Sequence, residues 1–496
     1  MNKLFRKITL IWIVPLALLA IACQPQSQDL RFELSISDSL QSESYSGRMY
    51  VFLNSDTTTQ PRRNLGWVNP SPFFAIDVQG LKPGESAVID SDALGYPDAL
   101  DKLESGTYAV QGVARRNRNL PNPGRNAGDL YSKTTLHYLK PDSNLKVQLS
   151  LNKEVAPRTF NETERIKEVT FKSEALSSFH DRPYEFRASV ALPQGWQPNS
   201  EETWPVVYYV TGFGGSHHNM PGILELMGEA AEDVILVIPD ARNYRGHSVF
   251  ANSENTGPWG TALTEELIPL IDEQFGGAGA EHRYITGVSS GGWSSLWVQI
   301  QHPETFSGVW SIVPDPVDFR DFQQINLYAE GANMYHDKDG NRRPLARRNG
   351  EPMIWYDNFV NMESVLGPGG QIHSFEAVFS PRGANGKPKP LFDRKTGDVN
   401  PETVEAWKKY DINLVLRNNW ETLGPKLKNK LHIYAGGSDT FYLEGAVELL
   451  KKTLNELGSD AEVEVVEGVT HEVPPGTYES MFETIRQRAD RQPVVQ

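Results

Sequence analysis

A serine held among glycines is the first sign of chemistry. In RYITGVSSGGWSS (283–295) an apolar run breaks at Gly287-Val288-Ser289-Ser290-Gly291 and then turns helical. That spacing fits Gly-x-Ser-x-Gly, which presents a serine hydroxyl at the top of a sheet on a sharp strand-to-helix turn. Larger residues at the glycine positions would collide with the neighbouring strand and helix. Ser289 in such a turn is a nucleophile only if the chain also supplies a base, an acid that orients the base, and N–H groups aimed at developing negative charge. Without them it is a small residue in a tight corner, since glycine and serine also cluster in ordinary loops.

Five of the eleven histidines follow Ser289. His302 ends the helix behind the turn, His432 lies within a strand pattern, and His336 and His373 fall in a long inserted segment. His471 alone sits in a loop, EGVTHEV, directly after the last strand pattern, where it can reach the catalytic edge of a sheet. On such a turn the order is serine, acid, histidine. Asp439 closes LHIYAGGSD, the penultimate strand pattern, with glycines that let the backbone bend; its rival, Asp315, closes VWSIVPD one strand earlier. The reading prefers Asp439, because one helix and one strand fit between it and His471. For the oxyanion hole, one amide is expected from Ser290 and the other from Phe213 in TGFGGSHHN (211–219), where the flanking glycines free the backbone. His217 and His218 in the same loop are given no catalytic role.

These residues need a sheet to bring them together. From about residue 165 to 490 strand patterns alternate with helical ones: WPVVYYVTG, VILVIPDA, RYITGVS, FSGVWSIVPD, KLHIYAGGSD and AEVEVVEG are separated by runs such as LTEELIPLIDEQF and AVELLKKTLNELG. Near-continuous apolar strands alternating with helices predict a mostly parallel sheet covered on both faces. Before it, RIKEVTFKSE and YEFRASVALP read as two opening antiparallel strands. A segment of about 315–430 interrupts the alternation, and its position at the strand C-terminal ends predicts a lid or cap over the site. It carries Arg342, Arg343, Arg347 and Arg348. A solvated charged face is one reading of that cluster; an anion-binding patch, with Arg342 and Arg347 as substrate-binding residues for an acidic ester, is the sharper one. Asp337, Asp339 and Asn341 hint at calcium, but their spacing departs from the EF-hand and a turn explains them, so no metal site is expected.

Residues 29–155 alternate apolar and polar over about seven short segments with turn signals between them, which predicts a small β-sandwich ahead of the α/β unit. Trp67, Phe73 and Phe74 within it read as core rather than as a platform for sugar. At the start of the chain, Lys3, Arg6 and Lys7 precede ITLIWIVPLALLAIA and then Cys23, the only cysteine. This reads as a signal peptide over residues 1–22. Small residues before a cysteine resemble a bacterial lipobox, with lipid attached at Cys23. The expected location is therefore the bacterial cell envelope, at the outer membrane or facing the periplasm, held by lipid alone. A net charge of −15 argues against nucleic acid as a partner.

The stretches YVTGFGG, GPWGTALTEELIPLIDEQF, YITGVSSGGWSSL, GGSDTFYLEGAVELL and GVTH, over about 165–490, resemble the putative-esterase (esterase D-like) family of α/β-hydrolases. That family includes feruloyl and acetylxylan esterases and enterochelin esterases. The resemblance implies a serine esterase acting through Ser289, His471 and Asp439 by way of an acyl-enzyme, with no cofactor, on a small-molecule or oligosaccharide ester. Two departures stand out. Thr211 occupies a position where many relatives have histidine, and the 315–430 insertion is larger than in small members. The alternatives are an acyltransferase on the same triad and a glycan-binding lipoprotein on a catalytically dead scaffold.

Overall fold

The computed structural model describes residues 29–490, so the signal peptide expected over residues 1–22 and Cys23 lie outside the described residues. Its centre is an eight-stranded sheet whose strands we label β1 (Ile166–Lys172), β2 (Glu185–Ala191), β3 (Val206–Val210), β4 (Ile235–Pro239), β5 (Arg283–Val288), β6 (Gly308–Ile312), β7 (Leu431–Gly436) and β8 (Glu462–Val466). They lie in the order β1-β2-β4-β3-β5-β6-β7-β8. The opening pair β1–β2 and the pair β2–β4 are antiparallel; every later pairing is parallel. The continuous apolar text of the middle strands has a plain cause. In β3, Val206, Tyr208 and Val210 enter one core together with Trp293 and Leu296, while Val207 and Tyr209 enter a second core with Met220 and Phe482 on the opposite face. With helices on both faces, neither set of side chains meets water.

Ahead of this sheet, nine strands between Arg31 and Glu154 join in one hydrogen-bonded β-sheet. The sequence reading found seven of them. Leu94–Tyr96 and Leu130–Ser132 escaped it because three residues are too few to show a period of two. Strand Tyr45–Asn54 explains how this unit relates to the rest. Its Met49, Val51 and Leu53 join Phe32, Leu34 and Leu149 in a core of their own, whereas Tyr50 and Phe52, with Phe73 and Ala75 of the next strand, belong to the main core shared with β2 and β3. The strand is buried on both faces, so the all-β unit is not a separate body hung on a linker.

The insertion folds into a hairpin, Pro344–Arg348 with Glu351–Trp355, followed by helices Tyr356–Leu366, Gln371–Phe379, Pro401–Trp407 and Ile412–Leu427. Asp337 spends its carboxylate on turn amides, accepting from Asp339 N at 2.9 Å and Asn341 N at 2.8 Å. A helix leaves its last carbonyls without partners inside the helix. For Tyr356–Leu366 the β-unit supplies them: Arg48 Nη1 donates to Ser364 O (2.8 Å) and Val365 O (3.0 Å), and Tyr50 OH donates to Leu366 O (2.7 Å). Arg115 Nη1 reaches Pro368 O just beyond, at 2.6 Å. Among the described residues, no helix is long and apolar enough to cross a membrane.

Removing these bonds should loosen the lid before the sheet. Tyr50→Phe is expected to lower unfolding stability by about 1 kcal/mol, and Arg48→Ala by about 2 kcal/mol because its bonds are charge-assisted. Denaturant midpoints measure the loss, and faster amide exchange confined to Tyr356–Leu366 would locate it.

Candidate active site

Ser289 sits between β5 and the helix Ser290–Gln301 with φ +60° and ψ −123°. A non-glycine residue in that region carries strain of about 1–3 kcal/mol and persists only where its surroundings enforce it. They do so by crowding. A Cβ on Gly291 would lie 1.9 Å from the carbonyl oxygen of Val210 on β3, and one on Gly292 would lie 2.5 Å from that of Ile312 on β6. The helix therefore starts hard against three strands, and the serine is lifted off their ends.

His471 Nδ1 lies 2.7 Å from Asp439 Oδ2, and Asp439 is fully buried. With Nδ1 engaged, Nε2 is the ring nitrogen left for the cavity that His471 and Ser289 both line. The acid turn is braced on several sides. Asp439 Oδ1 accepts from Phe441 N (2.7 Å), Ser438 N donates to Val469 O (2.9 Å) in the histidine loop, and the Phe441 ring stands edge-on to His471 at 4.9 Å. Asp315, the rival acid, does not contact His471 through a hydrogen bond. Its Oδ2 accepts from Ser290 Oγ at 2.5 Å and from Gln371 Nε2 at 3.3 Å, and Ser289 Oγ lies 3.4 Å from its Oδ1. Burial raises its carboxyl to about 6 against the pull of these hydrogen bonds and of His471.

Over the serine, Gly212–Gly215 forms a tight turn in which Gly215 N donates to Gly212 O at 3.0 Å. Phe213 N is not the donor of that bond, and Phe213 lines the cavity beside Ser289. Ser290, the other expected donor, is the first residue of the helix. His217 faces away from the cavity and fastens the loop. Its ring nitrogens lie 2.9 Å from Asp240 and 3.0 Å from Glu168, and its carbonyl accepts from Ser189 Oγ at 2.7 Å. Thr211, where many relatives carry histidine, uses its carbonyl to hold His247 Nε2 at 3.0 Å.

The two arginines expected to hold an acidic substrate are occupied elsewhere, and neither lines the cavity. Arg342 pairs with Asp357 at 2.5 Å and lies over the Trp355 ring. Arg347 donates from Nε to the carbonyl of Asp439 at 2.9 Å, pairs with Glu444 at 2.5 Å and lies over Tyr442. Its backbone N adds a bond to Thr440 O at 2.8 Å. The lid hairpin thus clasps the acid turn from behind. Here the structure corrects the expectation: Arg347 supports Asp439, Arg342 is held by Asp357, and neither reaches the space in front of Ser289.

That space is a cavity of about 290 Å³ walled largely by rings, among them Phe213, Phe359, Phe375 and Phe441. Eight of its fifteen lining residues come from 315–430, so the insertion does build the site. The β-unit contributes Trp67, whose ring meets Phe359 at 5.0 Å, Phe213 at 5.8 Å and Phe441 at 5.9 Å.

A sequence profile of the family described as putative esterase matches residues 181–473, more than half of the chain. The chain belongs to that family. It is a carboxylic ester hydrolase of the α/β-hydrolase fold. No curated protein matches it. Among solved structures, it is similar to an S-formylglutathione hydrolase from Agrobacterium tumefaciens, at 15% identity over 68% of this chain and 99% of that one, with a TM-score of 0.40. A ferulic acid esterase from Anaeromyces mucronatus, solved with ferulic acid, aligns at 16% identity over 66% and 93%, with a TM-score of 0.33. An esterase from Pyrobaculum calidifontis aligns at 14% identity over 66% and 86%, with a TM-score of 0.38.

In this esterase, sequence reasoning missed most residues that wall the cavity, Phe359, Phe375, Phe441, Trp67 and Gln371 among them. For Trp67 the signal was there, an aromatic in the turn-rich stretch NLGWVNPSP rather than in a strand. Gln371 offered none, being one glutamine at the start of a lid helix. Arg347→Ala should lower kcat on a neutral aryl ester by about 10- to 100-fold, with KM little changed. The acid turn would lose its clasp, and small misplacements of this kind are costly. Steady-state kinetics with Arg347→Lys, which restores charge but not the guanidinium fork, should show partial recovery.

Proposed function

We propose that this esterase hydrolyses carboxylic esters with Ser289 as nucleophile, His471 as general base and then general acid, and Asp439 as the group that orients the ring. Ser289 Oγ attacks the ester carbonyl as His471 Nε2 takes its proton. The amides of Phe213 and Ser290 receive the negative charge on the carbonyl oxygen. The alcohol leaves with the proton returned by His471, and water repeats the sequence on the acyl-enzyme. The observation that carries this reading is the 2.7 Å contact of His471 Nδ1 with the fully buried Asp439, at a cavity that also exposes the strained Ser289.

For the alcohol side we infer a hydroxyl of a carbohydrate. An aromatic-walled chamber of about 290 Å³ holds an acyl group of modest size and leaves a large alcohol outside. We further propose that the enzyme works tethered at the bacterial envelope through lipid on Cys23, on the strength of LAIAC after a basic and apolar leader.

Ser289→Ala should lower kcat on p-nitrophenyl esters by about 10⁴-fold or more, and Asp439→Asn should cost far more than Asp315→Asn. If Asp315→Asn were the crippling change, the acid assignment would be wrong. For the anchor, Cys23→Ser should abolish incorporation of radiolabelled fatty acid and move the protein to the soluble fraction. Membrane association that persists in that variant would rule out the lipid tether.

A further inference from the structure

The cavity contains one unexplained charge. Asp315 is only 5% exposed, lines the space in front of Ser289, and has no part in the triad described above. No Lys or Arg among the described residues pairs with it, and none lines the cavity. Its contacts are neutral donors: Ser290 Oγ and Gln371 Nε2 on one oxygen, and on the other only Ser289 Oγ at 3.4 Å, the long limit of a hydrogen bond. A buried carboxylate without a counter-charge is costly, and it is unusual to leave one unpaired. Here it is also awkward for the reaction, because it lies next to the point where an oxyanion must form.

A second acceptor lies buried in the same wall. Gln371 Oε1 is buried and has no hydrogen-bond partner. The orientation of this amide is set by chemistry. Rotating it would turn Oε1 onto the carboxylate of Asp315, acceptor against acceptor, so Nε2 must face Asp315 and Oε1 must face away. The remaining walls are aromatic rings, including Trp67, Phe213 and Phe441, whose faces attract cations. An anion with no Lys or Arg partner beside a ring-lined wall asks for a cationic hydrogen-bond donor.

We propose that this esterase is selective for esters whose acyl group carries an ammonium close to the ester carbonyl, as in aminoacyl esters, with Asp315, held by Gln371 Nε2, as its counter-charge. The proposal rests on Ser289 being the nucleophile. The carbon it attacks is bonded to its Oγ, so a nitrogen on the next carbon comes within reach of Asp315 Oδ1. Bound there, the ammonium cancels the charge that otherwise opposes the oxyanion, and an acyl group with a neutral substituent in its place does not.

The test compares 4-methylumbelliferyl esters of alanine and of isobutyric acid, which differ by an ammonium in place of a methyl group. Their ratio of kcat/KM is read from pH 5 to pH 7. The charged neighbours of Asp315 are His471 and Asp439, and Asp315→Asn keeps both, so comparing the two proteins separates their influence on the ratio from that of Asp315. The alanyl amine stays largely protonated over this span. A carboxyl titrating at about 6 goes from about one-tenth to about nine-tenths ionised, so the ratio should rise about tenfold. In Asp315→Asn the rise should vanish, and the alanyl preference at pH 7 should fall about tenfold or more. The intrinsic reactivity of the two esters drops out of that comparison between proteins. A flat ratio in the unaltered enzyme, or an equal rise in Asp315→Asn, overturns the proposal while leaving the serine esterase intact. Failure to hydrolyse either ester, together with no labelling of Ser289 by a fluorophosphonate, overturns both.

Discussion

Everything at the site depends on one close approach, the start of the helix Ser290–Gln301 against the carbonyl of Val210. Only a residue without a side chain fits at Gly291, and that contact forces Ser289 into a backbone conformation it would not choose. The strain is held by a parallel sheet buried on both faces, where neither β3 nor β6 can retreat without opening a core. From this fixed point the remaining parts fall into place at the same sheet edge: the Gly212–Gly215 turn after β3, Asp315 after β6, Asp439 after β7 and His471 after β8. These groups come from different strand ends, and the sheet's hydrogen-bond register sets their spacing.

Around that edge the molecule is held together by backbone carbonyls satisfied from a distance. Arg48, Tyr50 and Arg115 of the β-unit take the free carbonyls at the end of a lid helix, and Arg347 of the lid takes the carbonyl of Asp439. The first three reach acceptors at or just beyond a helix end, and Arg347 shares the Asp439 carbonyl with the backbone N of Tyr442. The result is a continuous mechanical line from the first sheet, through the lid, to the acid. Trp67 follows the same route by packing, since it touches rings from the lid, the Gly212–Gly215 turn and the Asp439 turn together.

Much of this was legible in the sequence, and what was not has physical causes. The α/β alternation and the glycines around Ser289 are local patterns, and Asp439 and His471 come into contact because each follows a strand end at the same sheet edge. The strand Tyr45–Asn54 was read as part of a self-contained unit because its second apolar face looks the same in sequence whether it meets a facing sheet or another domain. The arginines of the lid looked like an anion site because charge is visible in sequence and partners are not. Asp357 and Glu444, which engage two of them, lie 15 and 97 residues away. Gln371 illustrates the limit: its significance lies in which atom it turns toward Asp315, and no residue pattern encodes that.

The doubly buried strand Tyr45–Asn54 has a consequence for how the chain lives as an object. A hydrolase unit cut free before residue 165 would expose the ground on which Tyr50, Phe52, Phe73 and Ala75 rest, and the β-unit would bare those same side chains. Each half is the other's missing hydrophobic surface. The two should therefore melt in one transition, and a protease nick between Glu154 and Ile166 should leave the fragments associated. Evolution can then exchange the front sheet only for another that presents an equivalent apolar face, a far narrower freedom than that of a module on a tether.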